Sequence, residues 1–344
     1  MRSNSRVLLS ALVVTVSTAA LLFAQLPREG FVFNGRRFAS QLDFIQQGCR
    51  CSTRTPSADV IAAIEKALQA RGGRVAASSA VEIPVQFIHI TDGANGQITE
   101  TQRLDQVQVL NDSYSAWGIT FLYDPMVNPP IFEDNASWYR MTPGSAAERQ
   151  AKAALQVDPT KNLNFYTAGI GQGLLGWATF PNQLQSDPTN DGVVCLDESL
   201  PGGSAAPYNL GDTATHEVGH WLGLFHTFQN GCFGQGDQVN DTPAHSSPNY
   251  GCPDPTQPNG ACVQGELAPV ENFMNYTDDI CMIEFTLGQS DRMHSMIETY
   301  RPGLLGEDPC DCPITCIQRA IPPALRFDDE VLDLLRDFRD LVLH

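Results

Sequence analysis

Apolar positions change character along the chain. From Val7 to Ala24 they are nearly continuous, with Arg2 and Arg6 before them and the small residues Ala19, Ala20 and Ala24 at the end. That order is the layout of an export signal, so residues 1–24 read as a signal peptide. An uncleaved membrane anchor is the alternative, although Ser10, Thr15, Ser17 and Thr18 dilute the run. No later segment is apolar enough to span a bilayer. From 25 to 74 there is little strand pattern. This stretch carries Cys49 and Cys51, a short helix predicted over Ser57–Ala70, and a flexible Arg71-Gly-Gly-Arg74 end suited to processing.

Periodic structure begins near Val81. Val81–Ile90 is rich in β-formers, and Thr99–Trp117 has helical spacing with Leu104, Val107, Val109 and Leu110 as its apolar positions. Ile119–Tyr123, Leu163–Thr167 and Gly192–Leu196 read as strands, the last as an edge strand beside the site. Strands alternating with helices predict an α/β half built on a sheet. From Gln229 to Pro269 the chain turns to Gly, Pro, Asn, Asp and Cys, which predicts an irregular half held by disulfides and metal. A last helix is expected over Gln289–Tyr300. Beyond Pro302 lie Cys310, Cys312 and Cys316. Asp328–Val342 has apolar positions at Val331, Leu335, Phe338 and Val342, which reads as a helix packed on the body. A membrane-surface helix is the alternative there, and its acidic face argues against anionic lipid. The resulting division is 1–24 signal, 25–74 pro-segment, 75–302 catalytic domain and 303–344 tail.

The 344 residues allow one large domain or two modest ones, and ten cysteines fit an oxidising, extracellular compartment. Sequons occur at Asn111, Asn135, Asn240 and Asn275, of which the first two read as free surface sites. The net charge of −18 is uneven: residues 1–74 hold ten Lys/Arg against four Asp/Glu, so a basic leader precedes an acidic body. That asymmetry fits an intramolecular pro-segment. The acidity excludes nucleic acid as a partner and favours positively charged peptides as substrates.

The decisive stretch is His216-Glu217-Val-Gly-His220-Trp-Leu-Gly223-Leu-Phe-His226. Two histidines four apart share one helix face and can grip one ion. His226 reaches that ion only if the chain turns, and Gly223 has the freedom to turn it. Three imidazoles leave one zinc position open for water, and Glu217 lies beside them as a general base without being a ligand. Chance supplies these five residue types in such a window on the order of 10⁻⁵ times per chain. His89, His245, His294 and His344 lack this context and read as ordinary core or surface residues.

This motif resembles the signature of the metzincin metalloproteases. Phe273-Met274-Asn275-Tyr276-Thr277-Asp278-Asp279 is similar to their methionine turn. Asp191-Gly-Val-Val, Leu200-Pro-Gly-Gly, Gly211-Asp-Thr-Ala-Thr-His-Glu and Gly236-Asp-Gln-Val-Asn-Asp-Thr-Pro243 resemble the pappalysin branch, which includes secreted fungal proteases. The resemblance covers residues 80–302. It implies a metzincin-like α/β fold with a twisted mixed sheet and helices above the cleft and an irregular, disulfide-held half below. It implies Met274 beneath the metal, Tyr276 binding the oxyanion, and Asp279 at the base of the pocket that takes Arg or Lys after the cut. Asp278 is the neighbouring alternative, and a solvated turn carboxylate is the bland reading. Calcium is implied near Asp237 and Asp241, against an Asx-turn cluster without an ion. Pairings Cys232–Cys262 and Cys252–Cys281 are implied as well, and Cys195 reads as a buried free thiol. Cys51, in Cys51-Ser-Thr, resembles a cysteine switch that occupies the open zinc position, the alternative being a disulfide to the tail.

The expected activity is therefore zinc-dependent hydrolysis of peptide bonds in a secreted zymogen, with protein or peptide substrates. A non-catalytic binding module would have lost Glu217 or a ligand, and neither is lost. A hydrolase of non-peptide amides is the other rival. Glu217→Ala is expected to keep fold and zinc and lose nearly all hydrolysis. Substantial peptide cleavage by the zinc-loaded variant contradicts the assignment.

Overall fold

The computed structural model describes residues 30–33, 35–71, 80–171 and 173–305. The signal segment, the Gly72–Arg74 linker, the tail cysteines and the 328–342 helix lie outside the described residues. Among the described residues, no helix is long and apolar enough to cross a membrane.

The chain opens with a small hairpin, β1 (Val32–Phe33) and β2 (Arg36–Arg37), then α1 (Gln41–Gln46) and α2 (Ala58–Ala70). The body follows as β3 (Val81–Thr91), α3 (Glu100–Tyr114), β4 (Ile119–Leu122), β5 (Ile131–Asp134), α4 (Ala136–Tyr139), α5 (Ala146–Leu155) and β6 (Leu163–Ala168). It continues through β7 (Gly176–Ala178), β8 (Val193–Leu196), α6 (Asp212–Trp221) and α7 (Leu287–Tyr300). Between Trp221 and Leu287 the chain is irregular but for a short 3₁₀ turn over Asp279–Cys281. The expected α/β half and irregular half are both present.

The sheet runs β4-β3-β6-β8-β7, with β5 also pairing β3. All pairs are parallel except β7 with β8. The eleven-residue β3 pairs β4 along Val81–Pro84 and β5 along Ile88–Thr91, with β6 on its other side. The two-residue period decides which face each side chain serves. Val81, Ile83, Val85, Phe87, Leu163, Phe165, Val193 and Cys195 pack with α3, α6 and α7. Ile88, Ile90, Tyr166, Ala168, Val194 and Leu196 face the opposite way, into a second cluster. Phe33, Phe38, Phe44 and Ile45 of the N-terminal segment complete that second cluster. That segment is thus packed as core.

Two expectations need correction. Val193–Leu196 is an interior strand between β6 and β7, and the edge is Gly176–Ala178, whose three residues are too few to show a period. In α3 the inward face is Arg103, Gln106, Val107, Leu110 and Tyr114, while Leu104 is exposed. Polar residues lie inward there because each has a partner: Gln106 donates to Gly211 O at 3.0 Å and Arg103 to Ile98 O at 2.8 Å.

The ends of α6 and α7 are tied by a buried ion pair. Arg301 binds Asp191 through both terminal nitrogens, at 2.7 and 3.1 Å. Its Nε donates to Trp221 O, and its guanidinium lies 3.8 Å from the Trp221 ring centre. Trp221 Nε1 donates to the same carboxylate at 3.0 Å. Removing one partner strands a buried charge, so Asp191→Ala is expected to cost about 3–5 kcal/mol. Urea unfolding checks this.

Candidate metal centre

All ten residues of α6 are buried, so the motif helix is a core helix whose polar groups must find partners inside. His216 and His220 share one face with ring centres 4.8 Å apart. At Gly223 φ is 98°, the left-handed region, and the chain reverses there. The reversal brings the His226 ring to 4.5 Å from that of His220 and 5.1 Å from that of His216. His216 Nδ1 donates to Phe273 O and His220 Nδ1 to Leu224 O, both at 2.7 Å. Those bonds fix the tautomers and aim both Nε2 lone pairs inward.

His220 Nε2 and His226 Nε2 stand 3.0 Å apart, and His216 Nε2 is buried without a hydrogen-bond partner. Burial pushes His220 down to about 4 and holds His216 and His226 well below the usual range, with the neighbouring imidazoles adding to the effect for the latter two. Inward imidazole nitrogens gathered in a buried pocket, one of them without a partner, are satisfied together by a cation between them. The ligand atoms of Cys51, His216, His220 and His226 all lie within 4.8 Å of one another. Three imidazoles and a thiol form a donor set that suits zinc.

Around these atoms stand the other predicted residues. Met274 is buried against Gly219, where any Cβ would collide with its sulfur. Tyr276 Oη is 3.2 Å from His226 Nε2, and burial holds its hydroxyl well above the ordinary range and therefore protonated. Burial pushes Glu217 up to about 7, while hydrogen bonds from Thr53 and Cys51 oppose the rise. Thr53 Oγ1 donates to Glu217 Oε2 at 2.7 Å and accepts from Ala178 N at 2.8 Å, and Cys51 Sγ lies 3.5 Å from the same carboxylate oxygen. Residues 50–53 reach these positions by pairing with the β7 edge: Leu175 N donates to Arg50 O at 3.1 Å and Ser52 N to Gly176 O at 3.0 Å, in a parallel bridge.

Arg50 enters a pocket beside the histidines. Its guanidinium lies 4.3 Å from the Tyr208 ring centre, donates to Thr213 Oγ1 at 3.1 Å and stands 3.8 Å from Asp279 Oδ1. Asp279 Oδ2 accepts from Leu210 N at 2.9 Å, while Oδ1 has no hydrogen-bond partner. Asp278, the neighbouring alternative, is half-buried and accepts from Gln41 Nε2, which also donates to Tyr208 Oη.

A family profile described as pregnancy-associated plasma protein-A matches residues 148–298. An extracellular metalloprotease of Pyricularia oryzae is 37% identical over 273 residues, 74% of this chain and 90% of that protein. One from Sordaria macrospora is 40% identical over 264 residues, covering 73% of this chain and 88% of that protein. The chain belongs to the pappalysin family of metalloproteases. Among solved structures, mature mirolysin of Tannerella forsythia, bound to a cleaved peptide, superposes with a TM-score of 0.60 at 30% identity, covering 67% of this chain and 97% of that one. A promirolysin mutant gives 0.62 at 28% identity, covering 72% and 91%. This pappalysin is an extracellular metalloendopeptidase acting on proteins or peptides.

The remaining predicted residues of the pappalysin spread over its irregular half. Disulfides join Cys232 to Cys262 and Cys252 to Cys281, and among the described residues Cys51 and Cys195 are free thiols. Asp237 is buried and accepts from Val239 N and Thr242 Oγ1, whereas Asp241 accepts from Thr286 Oγ1 and Gly288 N at the start of α7. Each carboxylate is engaged locally by different partners. Of the sequon asparagines, Asn111 is held by both backbone groups of Phe121, which corrects its reading as a free site, Asn135 caps α4 through Oδ1 alone, and Asn240 is exposed. Asn275 is fully buried.

Sequence reasoning missed Arg50, Thr53, Tyr208 and Thr213. Arg50 sits next to Cys51, so its proximity to the site was available. Its destination depended on a parallel pairing with an edge strand that no periodicity announces. Gly219→Ala is expected to cost about 1–3 kcal/mol by overpacking against Met274. Adding Met274→Ala should recover part of that loss, as unfolding of both variants would show.

Proposed function

We propose that His216, His220 and His226 hold a catalytic zinc, that Glu217 is the general base, and that the enzyme is made latent by its own residues 25–74 and cuts before arginine or lysine. The observation that carries this is the convergence of three inward imidazole nitrogens beside a buried carboxylate. When bound, zinc supplies Lewis acidity to the scissile carbonyl and to water. Glu217 takes the proton of the attacking water and delivers it to the leaving amine. Tyr276, protonated and aimed at the same centre, donates to the developing oxyanion, a contribution of about 2.7–4 kcal/mol for one such donor. Met274 fills the floor beneath the ligands. The three-residue β7 edge is where an extended substrate would pair.

The N-terminal segment supports latency because it engages each working group. Cys51 would supply a fourth ligand, Thr53 occupies the Glu217 oxygen, and Arg50 fills the pocket over Asp279. Arg50 also supports the specificity. A buried carboxylate with an unpartnered oxygen, an aromatic wall and a hydroxyl together hold a guanidinium. Cleavage at Arg71 or Arg74 would separate this segment from the domain that starts near Val75. Calcium remains part of the proposal at Asp237 and Asp241. Burial pushes Asp237 up to about 7, and a hard cation would relieve that cost.

The test is a peptide library cut by the processed enzyme. Arg or Lys is expected directly after the cut, with Asp279→Ala erasing the preference more than it lowers turnover. Large apolar residues at that position refute the pocket. Cys51→Ala is expected to give early activity or self-digestion of the full-length chain, and a variant as latent as the parent refutes the switch.

A further inference from the structure

The third imidazole is oriented differently from the other two. His216 and His220 each donate Nδ1 to a backbone carbonyl. His226 follows the reversal at Gly223, so its position depends on the course of that turn. Phe228 stacks on its ring at 4.7 Å and 11°. The turn itself is gripped from outside by one side chain of α7. Arg292 is buried and donates Nε to Gly223 O at 2.9 Å. Its guanidinium lies 4.9 Å from the Phe225 ring centre. Phe225 in turn packs on Phe180 at 5.3 Å, and Phe180 lies 5.6 Å from His220. Met296, four residues on along α7, fills the space where a Gly223 side chain would stand. One guanidinium therefore holds both the backbone and an aromatic ring of the link between the second and third imidazoles. Its outer arm, Nη1, reaches Glu65 of α2 at 2.8 Å.

We propose that Arg292 is a positioning residue for His226: by clamping Gly223 and Phe225 it sets the third imidazole at the metal, and metal affinity depends on it. The inference rests on reading the three histidines as zinc ligands. An ion gains from a third ligand only to the degree that the ligand is already in place, because ordering a mobile turn on binding offsets the bond. Groups that orient a ligand without touching the metal typically affect affinity 10- to 100-fold when removed. The planar fork of arginine donates in one direction and stacks in another, which the ammonium of lysine cannot do. Glu65 lies on the outer side of the clamp, so it separates the ion pair from the grip on the turn.

The experiment uses the full-length chain carrying Glu217→Ala, so that self-digestion does not interfere. Zinc affinity is measured by competition with a graded chelator, and ligand geometry by the visible bands of the cobalt-substituted protein. Arg292→Met is expected to bind zinc about 10-fold or more weakly and to change the cobalt bands. Arg292→Lys should show a loss in the same direction, while Glu65→Gln keeps the parent's affinity. Affinities within twofold of the parent for both Arg292 variants overturn the proposal and leave Arg292 as packing for α7. An equal loss in Glu65→Gln also overturns it, because the effect then belongs to the ion pair. If Arg292→Met does not fold, Arg292→Lys decides by the same criterion. A parent that binds no zinc refutes the ligand reading itself, which is a distinguishable result.

Discussion

Three neutral imidazoles turned toward one point inside a dry core are the constraint on which the rest of this structure depends. His220 and His226 present nitrogens 3.0 Å apart, and His216 presents one with no hydrogen-bond partner. A cation held between them would satisfy all three nitrogens at once. The surroundings are arranged to hold them. The motif helix is buried on every side, carbonyls of Phe273 and Leu224 set two tautomers, and a left-handed glycine reverses the chain for the third histidine. Gly219 lets Met274 approach from below, and α7 holds the turn from outside. Sheet, irregular half and last helix thus meet at one small volume.

The N-terminal segment is built into the same volume. Its aromatic residues join the sheet's second core cluster, with Phe44 stacked 5.9 Å from Tyr208. Tyr208 also forms the wall against which Arg50 lies. Residues 50–53 follow the β7 edge, so they stand where an extended peptide would pair. Departure of this segment would therefore uncover the histidine cluster, Glu217, the pocket at Asp279 and the β7 edge together. It would also expose apolar wall that is now interior, and hydrophobic burial is what holds the segment down.

The gathering of the three histidines was legible from sequence because it depends on local spacing. An i, i+4 pair of histidines, an adjacent glutamate and a glycine before the third histidine carry their geometry with them. Strands with a clear two-residue period were legible for the same reason. What was not legible depended on long-range pairing. The position of Gly192–Leu196 within the sheet was misread because edge or interior status is set by the short, featureless Gly176–Ala178. Leu104 was misplaced because Arg103 and Gln106 lie inward with partners that only tertiary structure supplies. Arg50 and Thr53 were missed because nothing in their local sequence states which strand they follow. That Asp279 is buried against Leu210 N while Asp278 accepts from Gln41 was not legible either, because both contacts are long-range.

The most direct measurement is X-ray absorption at the zinc edge, on the full-length Glu217→Ala protein and on the same protein after its N-terminal segment is cut away. The account predicts one zinc per chain with three nitrogens at about 2.0–2.1 Å and one sulfur at about 2.3 Å before cutting, and three nitrogens with an oxygen in place of the sulfur afterwards. Fewer than three nitrogen ligands in either state, or no sulfur in the uncut chain, would contradict it.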